Sequence, residues 1–167
     1  MAIMNVEQEF VTAVRKYINL IEHAKELNID NFLSECRVIL PQIYYLGQQL
    51  PNVEVTDNIL NLDRKKEDSN RTFKESSLAF GNLRNYLGDK DTYKHIWDPI
   101  YDQKVMEGFI SDDLAGIYGD LKNQLEEYES NEELRKQAAI WEWKFTLQGH
   151  AGKHLVDVLS AIHHLLS

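Results

Sequence analysis

The chain has 167 residues, of which 43% are hydrophobic and 27% are charged, values that are ordinary for one globular domain. The net charge of −9 argues against nucleic-acid binding, which depends on Lys and Arg against phosphate, and no run of about 18 apolar residues is present to span a membrane. The single cysteine, Cys36, cannot form an internal disulfide, and residues 1–7 lack the pattern of a secretory signal, so we expect a cytoplasmic protein.

The first part of the chain predicts two helices with apolar residues at three- and four-residue steps. The first covers about residues 6–24, and the second follows a cap among residues 28–31. Cys36 lies on the apolar face of the second helix, so we expect a small buried side chain rather than a nucleophile. Pro41 lies inside that helix and removes one backbone hydrogen bond, which predicts a kink or a break near Leu40.

The middle of the chain predicts a loop followed by a third helix. Residues 52–71 mix charges of both signs with few apolar positions, which predicts an exposed loop with at most one helical turn. The third helix is predicted at Thr72–Leu87, with Phe73, Leu83 and Leu87 in the core. Gly88 provides its C-terminal stop.

A packed segment and a fourth helix come next. Residues 88–110 hold too many large apolar side chains for a free linker, so we expect an irregular segment packed against the helices. The fourth helix is predicted to begin with Ser111 as its N-cap and with Asp112 and Asp113 in its first turn, where carboxylates complement the helix dipole. Its apolar stripe predicts the following buried residues: Leu114, Ile117, Tyr118, Leu121, Leu125 and Tyr128.

The last helix is predicted from a cap at Ser130 or Asn131 to Leu166, a length of about 50 Å if it is unbroken. Gly149 and Gly152 are its weak point, because each costs roughly 1 kcal/mol in a helix interior and either bends the helix or lets another helix approach closely. These patterns predict an all-α, single-domain bundle of about five helices over the whole chain, with a long C-terminal helix and no β-sheet.

Four blocks of the chain resemble a known family: Tyr17–Glu22, Leu40–Tyr44, Ser111–Lys122 and Gly152–His163. In order and coverage they are similar to the small bacterial helical proteins catalogued as the domain of unknown function numbered 5063. The resemblance extends over nearly the whole chain, and the Ser111–Lys122 block is its most distinctive part. It implies an all-α fold and no established activity, and it transfers no catalytic residue.

Three potential metal ligands, His150, His154 and Asp157, follow one another at helical spacing in the last helix. Their i, i+4, i+7 pattern places them on one helix face. A metal site also needs ligands from a neighbouring helix and supporting hydrogen bonds, so the alternative is a solvated polar face. The solvent side is predicted for all three, because their face lies almost opposite the apolar stripe of Trp141, Phe145, Leu155 and Leu159.

Two features suggest a surface for a partner protein. Trp143 is predicted on the same outward face as the histidines, where an exposed tryptophan is a typical partner contact, unless residues 88–110 cover it. The stretch from Asp112 to Glu133 has eight carboxylates and one base, so it holds seven of the nine net negative charges. A basic protein partner is therefore expected at these residues: Asp120, Glu126, Glu127 and Glu129.

No catalytic motif accompanies these features, since the chain has neither a Gly-rich phosphate loop nor a readable Ser-His-Asp set. We therefore interpret the chain as a non-enzymatic protein-interaction module that uses an acidic helix face and requires no cofactor. Two alternatives stay open. One is a metal-binding helical bundle or metal-dependent hydrolase that uses His150, His154 and Asp157, and the other is a homo-oligomeric structural subunit joined through the C-terminal helix.

Overall fold

The computed structural model describes residues 5–62 and 66–167, which form seven α-helices and one two-stranded sheet. The helices are α1 Val6–Glu22, α2 Ile29–Gln48, α3 Asp57–Leu60, α4 Lys66–Leu87, α5 Ile110–Glu129, α6 Glu133–Gln148 and α7 His150–Leu165. The strands are β1 Thr92–Ile96 and β2 Val105–Phe109. The predicted all-α class is confirmed in its main part, whereas the predicted count of about five helices and the predicted absence of a sheet are wrong.

Local capping explains where several helices begin and end. Asn5 forms a capping box at the start of α1, and Asn28 caps α2 by accepting a hydrogen bond from the backbone N–H three residues later. Gly88 has a φ of +54°, a conformation that residues with a Cβ rarely adopt, and it follows directly on α4. The predicted cap among residues 28–31 and the predicted stop at Gly88 are therefore confirmed.

Helix α2 continues through Pro41 over 20 residues, so of the predicted kink or break near Leu40, the break into two helices does not occur. Pro41 itself is exposed, whereas its neighbours Leu40 and Ile43 are fully buried. Their packing offsets the cost of roughly 3 kcal/mol that a proline imposes inside a helix. Cys36 of the same helix is fully buried, and this burial raises the pKa of its thiol, which confirms its expected role as a small apolar side chain.

The connection before α4 is shorter than predicted. Helix α3 supplies a single turn, and its Ile59 is buried while the residues around it are mostly exposed. Helix α4 begins at Lys66, whereas the prediction placed its start at Thr72. Residues 63–65 of the predicted loop lie outside the described residues. The additional helical turns arise although the sequence there is strongly polar.

Helix α4 presents a different face to the bundle from the one predicted. Leu83 and Leu87 are buried as predicted, but Phe73 is 73% exposed, which contradicts its predicted core position. The face that meets α5 instead includes Ser76, whose hydroxyl donates a hydrogen bond to the Ala115 carbonyl at 2.8 Å. A Cβ on Gly119 of α5 would lie 3.0 Å from the Ser76 hydroxyl, so α4 and α5 approach closely here, while Phe73 remains largely exposed.

The segment between α4 and α5 is a β-hairpin rather than the predicted irregular packed segment. Strands β1 and β2 are antiparallel, with Thr92 opposite Phe109 and Ile96 opposite Val105. Strand β1 contacts α7, and β2 contacts the start of α5. The hairpin therefore rests on the bundle with one face, and its outer part extends into solvent.

Asp91 joins the hairpin to α5. Its buried carboxylate accepts hydrogen bonds from the backbone N–H of Ser111 at 2.7 Å and from the Ser111 hydroxyl at 2.8 Å. Helix α5 begins at Ile110, so the prediction that Ser111 is the N-cap is wrong. Asp91, which lies 20 residues earlier in the sequence, satisfies the backbone N–H donor of Ser111 at this helix end. Asp112 and Asp113 lie in the first turn of α5, as predicted.

Helix α5 is the centre of the bundle and contacts α1, α4, α6 and α7. The buried Tyr17 of α1 donates a hydrogen bond to the Leu114 carbonyl of α5 at 2.8 Å. The predicted stripe is confirmed for the buried residues Leu114, Ile117, Tyr118, Leu121 and Leu125, and Tyr128 is half-buried. Over the described ranges, every helix lacks the length or the apolar character needed to cross a bilayer.

The predicted long C-terminal helix is wrong, because Gly149 separates α6 from α7. Its φ of −120° and ψ of −114° are not helical. A Cβ on Gly152 would lie 2.0 Å from the carbonyl oxygen of Leu147, so the start of α7 packs directly on the backbone at the end of α6. Only glycine fits this close contact between the two helices without a shift of the backbone.

The predicted outward position of Trp143 is also wrong, because its side chain is fully buried. Its ring centre lies 5.2 Å from that of Phe10, and its indole N–H donates to the Leu121 carbonyl at 3.2 Å. Phe145, predicted to lie inside, is exposed, and Trp141 is half-buried. The apolar face of α6 is thus rotated relative to the prediction, which extended the phase of α7 through Gly149. Burial removes Trp143 from the candidate partner-binding residues.

Candidate functional site

Helix α7 directs histidine and carboxylate side chains toward α5 and the hairpin. The Nε2 atoms of His150 and His154 lie 3.1 Å apart near its N-terminal end. Nδ1 of His154 lies 2.5 Å from Oδ1 of Asp113, and Nδ1 of His150 lies 3.6 Å from Oδ2 of Asp120. Each imidazole ring therefore has a carboxylate of α5 beside Nδ1 and the other imidazole beside Nε2.

Asp113 is the buried carboxylate at the centre of this arrangement. It also accepts a hydrogen bond of 2.5 Å from the hydroxyl of Tyr93 in β1. The hydrogen bond to Asp113 is the main cause that raises the pKa of His154, which favours the protonated ring. Burial and then the bond to Asp113 raise the pKa of Tyr93, which keeps its hydroxyl a donor. Asp113 thus binds one side chain of α7 and one of β1 at the same time.

One face of the hairpin is fastened to α7. Tyr93 and His95 in β1 and Trp97 just after it occupy alternate positions, so their side chains share a face. Nδ1 of His95 lies 3.0 Å from Oδ2 of Asp157, a carboxylate that also accepts from Lys153. The Lys153 ammonium lies 4.9 Å from the centre of the Trp97 ring, a cation–π geometry. The hairpin is therefore held to the bundle mainly by titratable groups.

The three predicted metal ligands do not form one set. His150 is exposed, but His154 and Asp157 are largely covered, so their predicted position on the solvent side is wrong. His95 engages Asp157 instead of leaving it to the imidazole pair. Over residues 5–62 and 66–167, no three or more His, Cys, Asp or Glu side chains are arranged to hold a metal ion. The geometry separates a two-histidine pair from the third predicted ligand.

The four acidic residues predicted to bind a partner all contact donors of the same chain. The ion pairs are Glu126 with Arg71, Glu127 with Arg135 at 2.9 Å and Glu129 with Arg15 at 2.7 Å. Asp120 accepts a hydrogen bond from the Thr146 hydroxyl at 3.3 Å and lies beside His150. The acidic face of α5 is therefore partly neutralised within the fold, which reduces the charge that it offers to a partner.

Lys122, the single base of the acidic stretch, forms a separate polar cluster between α1, α4 and α5. Its ammonium lies 2.7 Å from a carboxylate oxygen of Glu22, 3.1 Å from one of Glu75 and 2.8 Å from the Tyr118 hydroxyl. Burial opposes the charge of Lys122, but these hydrogen bonds outweigh it and raise its pKa. The cluster lines a cavity of about 290 Å³ and joins α1 to α5.

The outer part of the hairpin exposes large apolar side chains over a short stretch. Ile100 is 80% exposed and Tyr101 is 88% exposed. Oδ1 of Asp98 accepts hydrogen bonds of 3.0 Å from the backbone N–H groups of both residues, which fixes the connection between the strands. The exposed set consists of Ile96, Trp97, Ile100, Tyr101, Val105 and Met106. The sequence signal for this surface is the apolar content of residues 88–110, from which packing against the helices is predicted.

Comparisons with known proteins identify a family and a fold. The model of the family described as Domain of unknown function (DUF5063) matches residues 2–167. No curated protein matches the chain significantly. Among solved structures, the crystal structure of protein BF1032 from Bacteroides fragilis, a structural genomics target, has a TM-score of 0.73 and 21% sequence identity, with 95% of this chain and 90% of that chain covered. At this level of identity, the likeness establishes a shared fold.

Proposed function

The chain belongs to the DUF5063 family, a membership that assigns no reaction, and we propose that it is a non-enzymatic module that binds a partner protein through its hairpin. The observation that carries this proposal is the exposure of six large apolar side chains within residues 96–106. Exposed apolar side chains that occur singly are normal, but six of them within one short segment are more than a solvated hairpin needs, and exposed apolar surface is typical of a binding site.

The chemistry of the hairpin suits a protein interface. Trp97 and Tyr101 belong to the residue types that contribute most to binding energy when a partner buries them. The Asp98 hydrogen bonds restrain the backbone at Ile100 and Tyr101, which lowers the backbone entropy lost on binding. The described sheet has two strands, so each strand also presents an outer edge with backbone groups for a further strand.

Charge suggests the character of the partner. The protein has a net charge of −9, and Asp98 and Asp102 lie at the apolar tip. We infer a partner with an apolar groove and a basic rim, which long-range attraction brings to the hairpin. The acidic face of α5 contributes to this attraction, but its internal ion pairs make it a weaker contact surface than the hairpin.

A variant pair tests the contact surface. Affinity capture with the full chain supplies a candidate partner, which is then purified and its Kd measured. Ile100→Ala with Tyr101→Ala is expected to weaken binding by at least about tenfold. The matched control is Phe73→Ala with Leu78→Ala, which removes two similarly exposed apolar side chains from α4 and is expected to change Kd less than about twofold. Unchanged binding by the hairpin variant would reject the proposal.

The same purified proteins also test the acidic face of α5 and the homo-oligomer alternative. Neutralisation of Asp120, Glu126, Glu127 and Glu129 together is expected to lower the association rate and its salt dependence while the hairpin still determines affinity. A loss of affinity with this variant alone would assign the contact to the acidic helix face. Sedimentation velocity across a concentration series tests the alternative of a homo-oligomer joined through the C-terminal helix. A comparison of wild type with the hairpin variant shows whether a second copy contacts the hairpin instead.

A further inference from the structure

We propose that His150 and His154 form a binding site for one divalent transition-metal ion, which their Nε2 atoms coordinate. The two atoms lie 3.1 Å apart, and the ring centres lie 4.5 Å apart. His154 also contacts Trp97 of the hairpin surface, at 6.0 Å between ring centres, but the metal site requires only the two imidazoles and the partner-binding test changes only Ile100 and Tyr101, so each proposal is tested without the other.

The distance between the two nitrogens fits a common metal ion. Two imidazole nitrogens that bind one ion at about 2.0–2.1 Å, with an angle of roughly 90–110° between them, are about 2.9–3.4 Å apart. The i, i+4 spacing at the start of α7 brings the ring centres within 4.5 Å of each other without any movement of the backbone. The pair is therefore already arranged as a chelate.

The α5 carboxylates orient both rings for coordination. Asp113 accepts from Nδ1 of His154, and Asp120 lies on the Nδ1 side of His150. A neutral histidine that donates through Nδ1 presents a lone pair at Nε2, and a carboxylate on the outer nitrogen is the usual support of a metal-bound histidine. A proton or a metal cation between the two Nε2 atoms, which lie 3.1 Å apart, interacts with both rings, so the ion takes the place of a proton when it binds.

The ligand set indicates the kind of metal and the strength of binding. Imidazole nitrogens suit Zn²⁺, Ni²⁺ and Cu²⁺ rather than Mg²⁺ or Ca²⁺. The described residues place no third His, Cys, Asp or Glu at this position, so water or an external ligand completes the coordination. A cavity of about 330 Å³ lined by His150 and Asp120 lies beside the pair and gives access to it. We therefore expect one ion per chain, bound with micromolar rather than nanomolar affinity.

Titration calorimetry of the full chain with Zn²⁺ and with Ni²⁺ tests the site. Wild type is expected to bind one ion, and His150→Gln and His154→Gln are each expected to weaken binding by at least roughly tenfold. The matched control is His163→Gln with His164→Gln, which removes two adjacent histidines whose i, i+1 spacing cannot form the same chelate, and it is expected to bind like wild type.

His150 is exposed, so its variant is expected to fold normally, and circular dichroism checks this for each protein. Nitrogen NMR of the histidine rings provides a second measurement, because metal binding shifts the Nε2 resonances of these two rings and of no other histidine. Absence of binding by wild type at about 1 mM metal ion would overturn the proposal. Equal loss of binding in the control variant would overturn it as well.

Discussion

Two tryptophans mark regions of this molecule that are held together in different ways. Trp143 in α6 is fully buried, packs against Phe10 and donates its N–H to a carbonyl of α5. Trp97 at the end of β1 is 46% exposed and lies against Lys153 and His154. The first region is stabilised by burial and close packing, and the second by a few polar contacts. We therefore expect substitutions in the hairpin to leave the packing of the helical core intact.

Trp143→Ala is expected to have the largest effect and to test this comparison directly. The free energy of unfolding should fall by about 3–5 kcal/mol, because the truncation leaves a cavity beside Phe10 and removes the donor to the Leu121 carbonyl. The matched control, Trp97→Ala, should cost less than about 1 kcal/mol, because its ring is half exposed. Urea denaturation followed by circular dichroism measures both. Similar losses for the two variants would mean that the hairpin is part of the stabilising core.

Local periodicity in the sequence predicts much of the core but not the orientation of every helix. The stripe of α5 lies inside as predicted, since Leu114 and Leu121 repeat with the helical period and no break intervenes. The orientation of α6 is mispredicted because residues 134–166 fit one continuous period. The break at Gly149 depends on the packing of Gly152 against the Leu147 carbonyl, a contact that no local pattern encodes.

In the candidate site too, the sequence predicts contacts within one helix but not contacts between helices. The i, i+4 spacing predicts that His150 and His154 lie side by side, and their ring centres are 4.5 Å apart. Their partners on α5 lie 30 or more residues earlier in the chain, and tertiary packing alone brings them together. Tyr93 and His95 alternate as strand residues do, but an alternation this short is ambiguous without the partner strand. The hairpin was therefore not predictable from period alone.

Gly152→Ala tests the close contact between the end of α6 and the start of α7. A Cβ there would lie 2.0 Å from a backbone oxygen, so one helix must shift, and we expect a loss of about 1–3 kcal/mol in the free energy of unfolding. Gly81→Ala is the matched control, because nothing lies within 4 Å of its Cβ position and an alanine favours the helix by about 0.5–1 kcal/mol. Thermal unfolding followed by circular dichroism measures both changes, with a lower midpoint expected for Gly152→Ala and a higher midpoint for Gly81→Ala. A stabilised Gly152→Ala protein would contradict the close packing of α6 and α7.

Asp157→Asn tests how the hairpin is attached. The carboxylate accepts hydrogen bonds from His95 and Lys153, and its loss should favour local opening of the hairpin by about 1 kcal/mol. Amide hydrogen exchange should therefore accelerate in β1 and β2 while protection in α5 stays unchanged. The control is Asp89→Asn, a change of the same charge at an exposed position before the hairpin. Uniform acceleration across α5 would show that the hairpin and the core open together.

Glu22→Gln is expected to change the free energy of unfolding least. It tests the hydrogen bonds from Lys122 and Tyr118 to the Glu22 carboxylate, which lie away from both tryptophans. Burial raises the pKa of Glu22, but hydrogen bonds from Lys122 and Tyr118 outweigh this and lower it below its ordinary value. A carboxyl group with a lowered pKa in the folded state contributes stability at neutral pH, which is lost as the pH falls through that pKa. Because the side chain is 39% exposed, solvent screening keeps the contribution below about 1 kcal/mol.

Wild type should therefore be slightly more stable than Glu22→Gln at neutral pH, and the difference should shrink from about pH 5 downwards until the two proteins unfold alike. Urea denaturation at a series of pH values measures the difference. In a Lys122→Gln background the difference should be much smaller at neutral pH, because the main hydrogen-bond donor to the carboxylate is gone. A difference that grows as the pH falls would mean that burial dominates over the hydrogen bonds of Lys122 and Tyr118, and that this cluster behaves like the protein interior rather than its surface.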